Sequence, residues 1–144
     1  MTAGLVFDTS VYISILRDAG FASALRERYR REVPRIHFSS VVIEELLAGA
    51  RTLGHRRQAV DVYEPFEKVG RVVTPSHEIW KETGRILARL AARASSYRDR
   101  LSRGFANDVL IALSARSIGA TVVTRNKRDF ELIREVRSFA LEIA

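Results

Sequence analysis

Residues 4–10 read GLVFDTS: three apolar residues, Leu5 to Phe7, follow Gly4 and lead directly into Asp8, Thr9 and Ser10. The apolar run is too short for a helix and predicts a buried strand over Gly4–Phe7. Thr9 and Ser10 are expected to cap a helix that starts at Val11 and fades before Gly20. A second stretch of this kind is TVVTRNKRDF, residues 121–130. It predicts a strand over Ala120–Thr124, rich in β-branched residues, then a short helix near Asp129–Glu135. Buried strands separated by helices pair in parallel and carry helices on both faces. The expected fold is therefore α/β: a three-layer α/β/α sandwich around a mainly parallel sheet.

The intervening chain follows the same alternation. Helical patterns are expected over Phe21–Glu32, from Ser39 and Ser40 to about Ala50, over Gly54–Lys68, and from His77 to about Ser95. The last of these has Ile79, Trp80, Ile86, Leu87 and Leu90 on its apolar stripe. A further helix, Ala106–Ile118, should stop at Gly119, a residue suited to a left-handed C-terminal turn. Short strands are expected at Ile36–Phe38, Gly70–Thr74 and Ser138–Leu141, and a basic loop at 96–104. No repeat, linker or low-complexity tract interrupts the chain, so 1–144 is expected to form a single domain.

Composition narrows the function classes. The 144 residues include no cysteine, which excludes a disulfide framework or a thiolate metal site. No apolar segment is long enough to span a membrane, and the start lacks the basic head and apolar stretch of a secretory signal. A cytoplasmic protein is expected. The net charge is +7, and only three of the 24 basic residues are lysines (Lys68, Lys81 and Lys127). Arginines cluster at 26–35 and 85–103. Guanidinium groups pair bidentately with phosphate, so the clusters suit a polyanion, although a solvated basic face explains them equally well.

Four acidic positions carry the chemistry. Asp8 ends the first strand, where ligands of open parallel sheets bind, but an Asp there also caps helices. In SSVVIEELLAG, residues 39–49, turns of ~100° per residue place Val42, Ile43, Leu46, Leu47 and Ala50 on one arc. Glu45 falls at the margin of that arc, between Val41 and Gly49, while Glu44 falls beside Arg51 on the polar side. Asp108, in FANDVLIALSA (105–115), is expected in a first helical turn, where the dipole alone would account for it. Asn126 and Asp129 follow the strand ending at Thr124, and Asp129 could cap the next helix. Carboxylates that converge repel one another, and a hard cation such as Mg²⁺ or Mn²⁺ resolves that repulsion. His37, His55 and His77 have no partner at i, i+4, which argues against zinc.

Taken in order, FDTS, SSVVIEELLAG, NDVLIALSA and TVVTRNKRDF resemble the PIN-domain family, in particular the VapC-type toxins of bacterial toxin–antitoxin modules. The resemblance covers essentially the whole chain and implies a PIN-like fold. It implies a Mg²⁺- or Mn²⁺-dependent endoribonuclease that hydrolyses RNA phosphodiesters. Asp8 and Asp108 would be direct ligands, Glu45 and Asp129 would bind a second metal or orient water, and Thr9, Ser10, Thr124 and Asn126 would add hydrogen bonds. It also implies a homodimer and a small antitoxin protein whose tail enters a groove, for which Val11, Tyr12, Ile15, Leu16 and Val42–Leu47 offer material. Many relatives carry Asp where this chain has Asn126, which makes Asp129 the expected fourth acid. That departure leaves a second reading open: a nucleic-acid-binding or protein-interaction module with a weakened or inactive site. A haloacid-dehalogenase-type phosphatase would need an Asp at Ser10. A response-regulator receiver would need an Asp closing the GRVVT strand.

Overall fold

Adjacent strand residues point to opposite faces of a sheet, yet Leu5, Val6 and Phe7 are all buried, so β1 (Leu5–Phe7) is covered on both sides. The computed structural model describes residues 3–93 and 101–144. After β1 come α1 (Thr9–Arg17), α2 (Ala19–Glu32), a 3₁₀ turn (Val33–Arg35), β2 (Phe38–Ser39), α3 (Ser40–Ala48), α4 (Leu53–Lys68) and β3 (Val72–Val73). Then follow α5 (His77–Arg93), α6 (Arg103–Ser117), β4 (Thr121–Thr124), α7 (Lys127–Val136) and β5 (Leu141–Ile143). Among these residues no helix is long and apolar enough to cross a membrane.

Among the described residues every strand pair is parallel. β4 lies between β1 and β5, with Leu5 opposite Thr121 and Val122 opposite Leu141. β2 pairs with β3, and a bridge between Leu5 and Ile36 joins that pair to the far side of β1. The strands thus run β3-β2-β1-β4-β5. The order reverses direction between β1 and β4, and ligand crevices open at such switch points, beyond the carboxyl ends of the strands. The α/β sandwich with a parallel sheet agrees with the sequence reading.

The core is largely aromatic on the β2 side, where Tyr12 stacks on Phe38 at 4.6 Å and Phe66 lies 5.4 Å from Phe38. On the β4 side it is built by α6, whose residues from Val109 to Leu113 are all buried. Gly119 has φ +67°, so it ends α6 in the left-handed conformation expected of it.

Several expectations are corrected. Asp8, and not Thr9 or Ser10, caps α1: its side chain accepts from the Ser10 amide, and Thr9 is already helical. α6 begins at Arg103, capped by Ser102, which moves Asp108 out of the first turn and away from the helix dipole. Of the basic loop at 96–104, residues 96–100 lie outside the described residues, and Arg103 and Gly104 are helical. Asp129 does not cap α7, which starts at Lys127 with Asn126 as its N-cap. β5 lies three residues later than expected at its start. Trp80 and Leu47 leave the apolar faces assigned to them and are 59% and 38% exposed. Val11 and Tyr12 are core residues, so they cannot line an open groove.

Candidate active site

The Asp8 amide donates to the Val123 carbonyl at 2.9 Å, continuing the β1–β4 ladder by one residue. This fixes Asp8 beside the end of β4, at the switch point. Its carboxylate accepts from the Thr124 hydroxyl and, at 2.9 Å, from the Ser10 hydroxyl. Asp8 is only 4% exposed. Burial raises its pKa, against the lowering effect of these hydrogen bonds.

α3 supplies the second acid. Thr9 Oγ1 donates to Glu45 Oε1 at 2.7 Å. Burial raises the Glu45 pKa, opposed by the bonds from Thr9 and Asn107 and assisted by the charges of Asp8 and Glu44. Glu44 is exposed and meets Arg103 at 3.3 Å and Asn107 at 3.4 Å.

α6 supplies the third. Asp108 is buried, and its pKa is pushed up to about 9, first by burial and then by the charges of Asp8, Glu45 and Asp129. Those causes place Asp8, Glu45 and Asp129 within electrostatic reach of Asp108. The fourth, Asp129 on the first turn of α7, is joined to Asp108 by Asn126, whose Nδ2 donates to Asp108 Oδ2 at 3.3 Å and to Asp129 Oδ2 at 3.1 Å. Asn126 thus sits at the N-cap position of α7 without a side-chain capping bond, its side chain turned toward the acids instead. Its own amide donates to Thr124 Oγ1 at 2.9 Å.

Among the described residues, no three His, Cys, Asp or Glu side chains meet at a single point. Their oxygens engage the hydroxyls and the amide just described. The donor set nevertheless fits a hard divalent cation, because it is entirely oxygen, mostly buried, and electrically costly without a counter-charge. The raised pKa of Asp108, from burial first and from its acidic neighbours second, reflects that cost.

Basic residues follow β4 directly in the chain. Arg125, Lys127 and Arg128 are exposed immediately past β4, and Arg125 Nη1 donates to Ser14 Oγ at 2.7 Å. From the arginine clusters, Arg103 reaches the rim, whereas Arg28, Arg35 and Arg93 are engaged with Glu142, Glu32 and Glu135. Sequence reasoning passed over Asn107. Asn107 precedes Asp108 by one residue, and its pairing across to α3 has no local signature.

Similarity to known proteins extends over most of the chain. A family model described as PIN domain matches residues 5–136. A Shigella flexneri protein named tRNA(fMet)-specific endonuclease VapC is 29% identical over 133 residues, 92% of this chain and 94% of that protein. A protein of the same name from Salmonella typhimurium strain LT2 is 31% identical over 113 residues, 78% of this chain and 80% of that one. Among solved structures, DNA-bound VapBC from Salmonella typhimurium superposes with a TM-score of 0.69 at 29% identity, covering 99% of this chain and 98% of that chain.

Proposed function

The chain belongs to the PIN domain family, and on that premise we propose that it is a metal-dependent endoribonuclease and the toxin of a toxin–antitoxin pair. The observation that carries the reading is the burial of Asp108 beside Asp8, Glu45 and Asp129 at the β1–β4 switch point, where desolvation first and the three charges second push its pKa up to about 9. Carboxylates so placed repel one another when ionised, and a divalent cation matches their charge. Asp8 and Asp108 would hold Mg²⁺ or Mn²⁺ directly, and Glu45 and Asp129 would complete the site. When bound, such a cation supplies charge neutralisation for the scissile phosphate and a more acidic water nucleophile.

The chain's own residues do the positioning. Ser10 and Thr124 orient Asp8, Thr9 orients Glu45, and Asn126 holds Asp108 beside Asp129. Groups that orient ligands in this way contribute about 10–100-fold to metal affinity or activity. Arg103, Arg125, Lys127 and Arg128 give the acidic pocket a basic border, which attracts the substrate backbone without neutralising the acids. The domain acts as a homodimer in the cytoplasm and is silenced by a small antitoxin. The names of the Shigella and Salmonella relatives make tRNA the first RNA to assay.

The test is incubation of the purified protein with Mg²⁺ or Mn²⁺ and a mixed RNA pool containing tRNAs, beside Asp8→Asn. Discrete cleavage by the wild type alone, with growth arrest on expression, supports the reading. RNA binding without cleavage would favour a binding module with an inactive site.

A further inference from the structure

The buried stripe of α5 is Ile79, Thr83, Ile86 and Leu90. Trp80 lies one position, ~100°, off that stripe, and it is 59% exposed. Packing of α5 therefore does not account for an indole at this position. Trp80 instead lines a cavity of about 220 Å³ together with Pro75, Thr74, Arg103 and Asn107. Glu44, Arg103 and Asn107 also line a second opening that includes Glu45. The cavity thus shares three lining residues with an opening that reaches Glu45 of the acidic site.

Its volume corresponds to about seven waters at ~30 Å³ each, the scale of a single ring system and too small for a partner helix. Its lining includes an aromatic face, apolar Val41 and Leu110, the Arg103 guanidinium, and the Asn107 amide, which donates to the Glu44 carboxylate that also lines it. The Arg103–Glu44 pair is solvent-exposed at 3.3 Å, and pairs of that kind contribute little, so Arg103 can exchange Glu44 for an incoming phosphate at small cost. An aromatic platform beside a phosphate-binding cation is what a single-stranded nucleotide requires, since every base presents a stackable face.

We propose that Trp80 and Arg103 form a nucleotide subsite in which one RNA base adjoining the scissile bond stacks on the indole while its phosphate engages the guanidinium. The subsite rests on the nuclease reading given above and adds to it a place where the unpaired base is held. It is a binding feature and not part of the acidic machinery.

Trp80 is the chain's only tryptophan, so its emission reports this position alone. Inactive Asp8→Asn protein is titrated with a dye-labelled single-stranded oligoribonucleotide, following dye polarisation and tryptophan emission together. The expected result is an emission change of at least about twofold that saturates with the polarisation, whereas inorganic tripolyphosphate leaves emission unchanged. With Asp8 intact, Trp80→Ala should raise KM about tenfold with little change in kcat, and Trp80→Phe should recover most of the loss. Rising polarisation with constant emission would overturn the subsite and leave the nuclease reading standing. Neither polarisation nor cleavage by the wild type would overturn both. Emission that varies with protein concentration without RNA would mean that a second copy covers Trp80, and would overturn the subsite.

Discussion

Thr9 Oγ1 donates to Glu45 Oε1 at 2.7 Å, so the first residue of α1 fixes an acid carried by α3, 36 positions further on. Glu44, its neighbour, points to solvent and to Arg103 instead. The two adjacent glutamates are therefore separable by experiment. Glu45→Gln should reduce RNA cleavage by about 100-fold, and Glu44→Gln by no more than about threefold. Thr9→Val should cost about tenfold, because it removes the orienting hydroxyl at constant shape, and Thr9→Ser should restore it. Equal losses for the two glutamates, measured as kcat/KM on one RNA, would contradict this geometry.

Asn126 bridges Asp108 and Asp129 through one amide nitrogen. Asn126→Asp replaces that donor with a further negative charge. It should lower the melting temperature of the metal-free protein through added repulsion, while tightening Mn²⁺ binding about tenfold. Thermal melts with and without Mn²⁺ read both effects. A variant that melts higher than the wild type without metal would refute the bridging role.

These relationships differ in how far the sequence reveals them. Asp8 is legible because an apolar triplet followed by an acid marks a strand end, and β4 is legible from its β-branched run and from Gly119 behind it. Parallel pairing follows from strands alternating with helices. The bonds between Thr9 and Glu45, and between Asn107 and Glu44, join elements distant in sequence, and no local pattern encodes them. Trp80 misleads for a related reason. Its hydrophobicity places it on an apolar stripe, but the angle between neighbouring helical positions turns it outward. Asp108 misleads by a register error of one turn, since a helix starting at Arg103 removes the dipole explanation that a later start would supply.

Asp108 also sets a pH dependence. Unfolded, it loses its proton near ~3.9; folded and metal-free, it keeps it to about 9. Across that window the folded state binds a proton that the unfolded state does not, so stability falls as pH rises and is fully present only below the lower value. The metal-free wild type should melt progressively lower between pH 5 and pH 9. Asp108→Asn should flatten that slope and raise the pH 8 melting temperature, by about 4 °C for each kcal/mol of relief. A slope unchanged in Asp108→Asn would assign the effect to another group.

Calorimetric titration of Mn²⁺ at pH 8 tests the central claim most directly, with wild type, Asp8→Asn and Asp108→Asn compared in two buffers of different ionisation heat. The acidic site predicts saturable binding by the wild type that releases a proton, because Asp108 must ionise to accept the cation. Binding should be lost in Asp8→Asn, and in Asp108→Asn both the affinity and the proton release should fall. Identical isotherms for the three proteins would contradict the assignment of these carboxylates as the metal site.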